Sequence, residues 1–277
     1  MTTPKTRRIR RNEPCVMDIQ SMISVERRDE IAIVSLNRAD KLNAISRAML
    51  RQLTEIFKTL ASEKSLRAII LTSAGERAFS AGTDLSELID VPAEQAREVA
   101  DGGQQLCNEV ENCPVPVIAA INGIAAGAGC ELALASHLRI ASPNASFSLP
   151  ENKLGIIPGY GGTQRLAREV GHGRAFEILL TARTIHSDEA LRIGLINRIA
   201  PAAALLPEAM RLAHEITALA PLAIRACLQA VTEGTELPLK EGLALEADLF
   251  ASLFATQDMR EGTRAFLEKR KPVFKGE

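Results

Sequence analysis

The stretch from Gly123 to Gly162 constrains the fold more than any other part of this chain. It follows an apolar, β-rich run at residues 115–121 and opens with a loop that carries glycine at positions 123, 127 and 129. Glycine permits backbone turns that a Cβ atom forbids. Because residues 132–135 favour a helix, we expect one to begin at about Cys130. The order of strand, glycine loop and helix start points free backbone N–H groups at an anionic or polarised oxygen.

Two glutamates stand out in this stretch. On a helix, the residues three and four positions from Glu131 are all non-polar. Burial of this kind raises a carboxyl pKa and suits the group to general acid–base catalysis. Glu151 follows twenty positions later in a weakly charged segment, and two carboxylates that bracket one pocket can divide acid and base roles. The alternative is that each is a structural glutamate bonded to backbone N–H groups, and spacing alone favours neither.

A second glycine loop repeats the arrangement. Residues 68–71 form a buried type of strand, and residues 75–84 form the loop after it. We expect a helix to follow from Asp84 or Leu85, with Asp84 near its positive end. Two strands therefore each deliver a glycine loop onto a helix start.

Composition excludes several classes of function. The chain has 277 residues, 46% of them hydrophobic, which suffices for one large domain or a domain with an appendage. With 33 basic and 34 acidic residues, neither a nucleic acid nor an anionic membrane is expected as main partner. Five cysteines without a C-x-x-C pair indicate a reduced intracellular protein. No run reaches the roughly 18 apolar residues that span a bilayer.

The chain divides into three parts. Residues 1–22 form a basic tail that we expect to be disordered, the alternative being an organelle transit segment. Residues 23–200 alternate strands and helices as an α/β core, which includes strands at 23–26, 31–36 and 195–199 and a helix capped by Ser46. Residues 201–277 are nearly all helical, and their apolar side chains between 243 and 254 predict an oligomer.

Other familiar motifs are missing. The pair Gly127 and Gly129 lacks the third glycine of a dinucleotide fingerprint, since position 132 is leucine. There is no P-loop and no G-x-S-x-G nucleophile elbow. The four histidines have no metal-ligand spacing, so no metal site is predicted, although His137 lies close to Glu131 in sequence.

The whole chain from about residue 23 resembles the enoyl-CoA hydratase/isomerase, or crotonase, family. The resemblance rests on the motifs Asn37-Arg…Leu42-Asn-Ala44, Phe79-Ser-Ala-Gly-Thr-Asp84, Pro116-Val-Ile-Ala-Ala-Ile-Asn-Gly123, Gly127-Ala-Gly-Cys-Glu-Leu-Ala133, Pro150-Glu…Leu154-Gly-Ile-Ile-Pro-Gly159, Gly161-Gly-Thr-Gln-Arg165 and Phe266-Leu-Glu-Lys-Arg-Lys271. It implies an α/β fold, a crotonase-like spiral of ββα units with a C-terminal helical trimerisation region. It also implies a homotrimer or dimer of trimers and a coenzyme A thioester as substrate, with no prosthetic group.

The resemblance also assigns roles to residues. The backbone amides of Thr83 and Ala128 would form an oxyanion hole, Glu131 and Glu151 would be the catalytic carboxylates, and Gly159 would polarise the thioester from the far side. The coenzyme A site would use Lys41, Leu42 and Ala81 near the adenine, Arg77 near the phosphates, Asp84 and Leu85 beside them, and Phe266 and Lys269 from a neighbouring subunit.

Because both glutamates are present, the resemblance favours an enoyl-CoA hydratase that adds water syn to trans-2-enoyl-CoA thioesters. The alternatives are a 3,2-enoyl-CoA isomerase, a hydratase similar to the 3-methylglutaconyl-CoA enzymes, or an RNA-binding or scaffolding member of the family. Ser86 stands where some members use a lysine for coenzyme A. The expected location is the cytoplasm, or the mitochondrial matrix if the basic tail is a transit segment.

Overall fold

The computed structural model describes residues 22–277, so the predictions for the basic tail lie outside the described residues. In this range the strands are β1 (Ile23–Arg28), β2 (Ile31–Leu36), β3 (Ala68–Ser73), β4 (Ala78–Ser80), β5 (Val117–Ile121), β6 (Ile124–Ala126), β7 (Leu138–Ala141), β8 (Ser146–Ser148), β9 (Ile185–His186) and β10 (Arg198–Ile199). The helices are α1 (Arg47–Ser62), α2 (Ala96–Glu111), α3 (Ala128–Ala135), α4 (Gly162–Val170), α5 (His172–Thr181), α6 (Ser187–Arg192), α7 (Leu205–Thr217), α8 (Pro221–Gly234), α9 (Leu239–Leu253) and α10 (Gln257–Leu267).

Two sheets organise the core. The larger has the order β1-β2-β3-β5-β7-β10, in which β1 and β2 are antiparallel and the remaining neighbours are parallel. The smaller has the order β4-β6-β8-β9, with β9 antiparallel to β8. Successive strand pairs β3–β4, β5–β6 and β7–β8 each put one strand in each sheet, and the next α-helices after the three pairs are α2, α3 and α4. This is the predicted spiral of ββα units.

Both faces of the larger sheet are buried. Side chains alternate across a strand, so neighbouring residues pack on opposite faces. On β2, Ala32 and Val34 face one hydrophobic cluster, while Ile31 and Ile33 face another. The first cluster includes the buried side of α1. As predicted, Ser46 caps this helix: its hydroxyl accepts a hydrogen bond from the Met49 amide at 3.2 Å. The second cluster is covered by α7.

Several sequence predictions about individual elements were wrong. The segment after Asp84 is a single 3₁₀ turn, Leu85–Glu87, where a helix was expected. Helix α3 begins at Ala128, two residues before the predicted start, and β10 covers only the end of the predicted strand at 195–199. Strands β4 and β6 lie inside segments that were predicted as loops, because three-residue strands carry too short an alternation to recognise.

The C-terminal helices divide into two groups. Helix α7 contributes to the core through Leu205, Ala209 and Ala213, whereas α8 and α9 have no buried residue. Pro221 begins α8, a position that proline tolerates because its missing N–H would be unpaired there. In the described chain no single helix is long and apolar enough to cross a membrane, although the bent pair 202–217 and 221–234 reaches that length and composition together.

Candidate active site

The loop that contains Thr83 presents a free backbone amide. An isolated parallel bridge joins Thr83 to Ile45: the Ile45 amide donates to the Gly82 carbonyl at 2.7 Å, and the Asp84 amide donates to the Ile45 carbonyl at 3.0 Å. These bonds use the groups on either side of Thr83, so its own N–H points away from Ile45. No acceptor in residues 22–277 pairs with that N–H.

A second free amide belongs to Ala128. It is the first residue of α3, and the first amides of a helix have no partner within the helix. The preceding Gly127 has φ +50° and ψ −126°, a conformation that side chains other than glycine rarely adopt. Its amide donates to the Ser148 carbonyl at 2.9 Å, while that of Ala128 has no acceptor in the described residues.

The two free amides lie close together. A Cβ atom on Gly82 would be 3.5 Å from the Ala128 nitrogen and 2.8 Å from the Ala126 carbonyl oxygen. Only glycine at position 82 therefore allows the two loops to come this close. Two fixed N–H donors at one point can stabilise the negative charge of an enolate or oxyanion.

Glu131 lies on α3 and is 1% exposed. Its Oε1 accepts hydrogen bonds from the amides of Tyr160 at 2.8 Å and Gly162 at 2.7 Å. Burial, the largest effect, and the charge of Glu151 together raise the pKa of Glu131 to about 7, against the opposing effect of the two amides. The prediction of a buried glutamate is confirmed, and both readings of it hold, since it is bonded to backbone amides and has a pKa near neutrality.

Glu151 lies against the glycine loop that precedes α3. A Cβ on Gly127 would lie 2.8 Å from its Oε1, so the carboxyl packs directly against the residue before Ala128. Its Oε2 is buried and has no hydrogen-bond partner among the described residues. Burial raises the pKa of Glu151 as well. An unpartnered buried carboxyl oxygen is stabilised when it carries a proton or meets a ligand.

The turn at residues 158–162 fixes the orientation of Glu131. Gly161 has φ +105°, and a Cβ on Gly162 would lie 2.9 Å from both Cγ and Oε1 of Glu131. Arg165 holds the turn by donating to the Tyr160 carbonyl at 2.9 Å while it pairs with Glu111 at 2.7 Å. Gly159, in the same turn, has an amide without an acceptor in the described chain.

Sequence reasoning missed the residues that support the Thr83 loop. Asn43 is fully buried, with φ +55°; its Nδ2 donates to the carbonyls of Ala74 and Ala78, and its Oδ1 accepts from the Arg38 amide. The Arg38 guanidinium donates to Asp84 at 2.9 Å. Arg38 and Asn43 both belong to the Asn-Arg…Leu-Asn-Ala motif that carries the family resemblance, but the motif alone does not predict these hydrogen bonds.

The predicted coenzyme A residues fall into separate groups. Lys41, Leu42 and Ala81 lie together, because the Ala81 amide donates to the Leu42 carbonyl at 3.0 Å, and Arg77 is exposed in the preceding loop. Leu85 is 51% exposed.

Asp84 is engaged within the chain by Arg38 and by Ser86, and these contacts hold the pKa of its carboxyl below the usual range. Phe266, which is 84% exposed, and Lys269 lie at the C-terminal end of α10. Within the described chain they do not join the other predicted coenzyme A residues around Lys41 and Ala81.

His137 has a structural role. Its Nδ1 accepts from the Val117 amide at 2.9 Å, and its Nε2 contacts the Glu111 carbonyl at 3.0 Å. In the part of the chain that the structure describes, no group of three or more His, Cys, Asp or Glu residues could hold a metal ion.

Comparisons with known proteins agree with this geometry. The model of the family described as enoyl-CoA hydratase/isomerase matches residues 26–277. A short-chain-enoyl-CoA hydratase from Clostridium acetobutylicum is 39% identical over 92% of this chain and 97% of the relative. A crotonyl-CoA hydratase from Syntrophomonas wolfei is 41% identical over 91% of this chain and 97% of its own. The crystal structure of an enoyl-CoA hydratase from Bacillus anthracis has a TM-score of 0.90 and 42% identity, and covers 93% of this chain and 100% of that one.

These relatives confirm the predictions of a crotonase-like fold and of enoyl-CoA hydratase activity, a hydro-lyase reaction on coenzyme A thioesters. The family model matches residues 26–277, and two relatives that are 39% and 41% identical cover about nine-tenths of the chain. The chain therefore belongs to the enoyl-CoA hydratase/isomerase family.

Proposed function

We propose that the chain hydrates trans-2-enoyl-CoA thioesters by a mechanism in which Glu131 and Glu151 act on one water molecule. The observation that carries the proposal is that helix α3, whose first residue presents the free amide of Ala128, also carries Glu131, while the Glu151 carboxyl packs against the preceding Gly127. The thioester oxygen would accept hydrogen bonds from the Thr83 and Ala128 amides. The Gly159 amide would polarise the thioester from the other side of the site.

The hydrogen bonds suggest how the two carboxyls share the work. Glu131 accepts two backbone amide bonds, which favour its ionised form, so it is the better base. Glu151 has a buried oxygen without a partner in the described chain, which favours its protonated form, so it is the better acid. The charge of Glu151 raises the pKa of Glu131, so a state in which both carboxyls are ionised is disfavoured.

The proposed reaction balances with these two groups. Glu131 takes a proton from the water as its oxygen bonds to C3, and the electron pair of the C2–C3 double bond moves to the thioester oxygen. The enolate so formed is held by the two amides. It then takes the proton of Glu151 at C2, on the same face. Transfer of the first proton from Glu131 to Glu151 restores the starting state.

The test is turnover by the purified protein. With crotonyl-CoA, we expect the absorbance of the conjugated thioester to fall as the 3-hydroxyacyl-CoA forms. A protein that leaves every 2-enoyl-CoA unchanged but converts a 3-enoyl-CoA to its 2-enoyl isomer would overturn the proposal in favour of isomerisation.

We further propose that the protein works as a homotrimer or a dimer of trimers. Helices α8 and α9 have no buried residue, yet they carry exposed apolar side chains such as Val231, Leu243 and Phe250. A continuous exposed apolar surface is typical of an interface. In such an assembly Phe266 and Lys269 of one subunit would reach the coenzyme A site of the next, beside Lys41 and Arg77. Light scattering that shows a monomer at micromolar concentration would contradict this.

The proposed setting is the cytoplasm. The four described cysteines, Cys107, Cys113, Cys130 and Cys227, are free, and free thiols persist in reducing compartments. Fractionation of the native cells should place the protein with the cytoplasmic enzymes, and recovery from an organelle or the cell exterior would contradict this location.

A further inference from the structure

A cavity of about 270 Å³ lies beside the Thr83 loop, between α1 and α2. Its lining includes the apolar side chains of Ile45, Leu50, Leu88 and Val99. Charged side chains, among them Arg51, also line it. Neither Glu131 nor Glu151 is among the described residues that line it, so the cavity is separate from the two carboxyls.

Tyr160 lies between the cavity and the carboxyl pair. Its side chain lines the cavity and its amide donates to Glu131 Oε1 at 2.8 Å, so one residue contacts both places. The ring is 7% exposed and lies tightly against Gly103 of α2, where an added Cβ would come within 1.9 Å of the ring. Because Gly103 has no side chain, the ring packs directly against the backbone of α2 and is held in one position.

The phenol of Tyr160 forms part of the boundary between the cavity and the carboxyl pair. It lies next to the side chain of Thr83, which also lines the cavity. Burial raises the pKa of Tyr160, so its hydroxyl stays neutral at physiological pH. The residue that gives the first oxyanion amide and the residue that gives an amide to Glu131 therefore meet through their side chains at the entrance to the cavity.

We propose that Tyr160 determines acyl-chain length by closing the passage from the thioester site to this cavity, so that the preferred substrates are short enoyl-CoA thioesters. The inference rests on the proposed hydration at Glu131 and Glu151. Crotonyl-CoA has a single carbon beyond C3, where the water adds, and it fits in front of the ring. A longer chain has to displace the ring before it can reach the apolar lining.

Removing the ring should open the passage. Tyr160→Ala keeps the backbone amide that binds Glu131, and the apolar lining becomes accessible to the acyl chain. Each methylene group transferred from water to an apolar site favours binding by about fourfold. Octenoyl-CoA has four more carbons than crotonyl-CoA, so its kcat/KM relative to that of crotonyl-CoA should rise by about 10²-fold in Tyr160→Ala.

The experiment measures kcat/KM for trans-2-enoyl-CoA thioesters of four, six, eight and ten carbons. The wild type should lose activity steeply beyond four carbons, and Tyr160→Phe, which keeps the ring, should show the same profile. Tyr160→Ala should gain the longer substrates. In Tyr160→Ala/Val99→Phe a new ring fills the cavity, and the gain should disappear.

The outcomes separate this inference from the proposed function. A wild type that hydrates none of the four substrates overturns the proposed function itself. A wild type that hydrates crotonyl-CoA and decenoyl-CoA equally well overturns only the role of Tyr160. The role of Tyr160 is also overturned if Tyr160→Ala melts like the wild type, hydrates crotonyl-CoA and keeps the wild-type dependence of kcat/KM on chain length. If Tyr160→Ala fails to fold, Val99→Phe alone decides: it should leave the wild-type profile unchanged, and a shift would show that chains already enter the cavity.

Discussion

At Glu131 two physical effects oppose each other. Burial disfavours the charged carboxylate, whereas the amides of Tyr160 and Gly162 favour it. Burial is the larger effect and places the pKa of Glu131 at about 7, above the ordinary glutamate value of 4.5. A carboxyl in this range can accept and release a proton at neutral pH, which general acid–base catalysis requires.

The raised pKa makes stability depend on pH. Since the folded protein binds the Glu131 proton more tightly than the unfolded chain, this group contributes stability that is fully present below pH 4.5 and is lost as the pH rises through 7. Glu131→Gln stays neutral and removes that loss. We expect Glu131→Gln to be more stable than the wild type by about 3 kcal/mol at pH 8 and by much less at pH 5.

Urea unfolding at the two pH values measures this difference. Exposed Glu55→Gln on α1 is the control and should follow the wild type at both. A Glu131→Gln protein with the same advantage at pH 5 and pH 8 would show that Glu131 titrates normally in the folded state.

Sequence predicted the burial of Glu131 but not its partners. The apolar neighbours three and four residues away along a helix were enough to show that the side chain leaves solvent. Its hydrogen-bond donors lie 29 and 31 residues further along the chain. Their contact depends on the turn at Gly161, whose tertiary position is not encoded in any local pattern.

At the scale of elements, the Thr83 loop is positioned by the neighbouring loop at residues 37–45 and not by a helix. Asn43 joins the two loops through buried hydrogen bonds, and the Ser80 hydroxyl donates to the Asn43 carbonyl at 2.9 Å. The amide of Thr83 is thus fixed before substrate arrives, as an oxyanion donor needs to be.

Asn43→Ala should therefore lower both stability and turnover. It leaves the Ala78 carbonyl without one of its donors and the Arg38 amide without its acceptor, in a fully buried site. Loss of such partners costs about 1–3 kcal/mol each, so we expect a loss of about 3 kcal/mol in the free energy of unfolding.

Denaturant unfolding and crotonyl-CoA turnover check this. Asn112→Ala is the matched control, because Asn112 is exposed and donates only to Asn108 of its own helix. If Asn43→Ala resembled this control in both measurements, the loop at 37–45 would have no part in positioning Thr83.

The elements that sequence missed are those with the shortest local signal. Helix α1 has full amphipathic turns, and its capping residue Ser46 was predicted correctly. The strands of the smaller sheet have two or three residues, so their pairing, and not their composition, defines them. The family resemblance supplied the ββα spiral that periodicity could not.

For the whole molecule, the C-terminal helices leave large apolar side chains exposed. Phe250 and Phe254 of α9 pack edge to face with ring centroids 5.0 Å apart, and they are 63% and 52% exposed. Helix α7, by contrast, covers one face of the larger sheet. Sequence could indicate an interface from these apolar residues, but not which surface of another copy covers them.

Phe250→Glu should dissociate the proposed assembly, since it would bury a charge in the interface. Size-exclusion chromatography with light scattering should show a smaller species than the wild type. Lys58→Gln on α1 changes the net charge by the same amount and should leave the size unchanged. Equal masses for Phe250→Glu and the wild type would place the interface elsewhere.

The hydration rate of Glu131→Gln and Glu151→Gln tests the central claim most directly. Glutamine keeps the size of the side chain but cannot exchange the proton, so each variant should lose about 10²–10⁴ in kcat with crotonyl-CoA. The double variant should lose far less than the product of the two, because in the proposed mechanism the carboxyls act on one water. Glu55→Gln should keep the wild-type rate. If either single variant hydrated crotonyl-CoA at the wild-type rate while it remained folded, the two-carboxylate mechanism would be wrong.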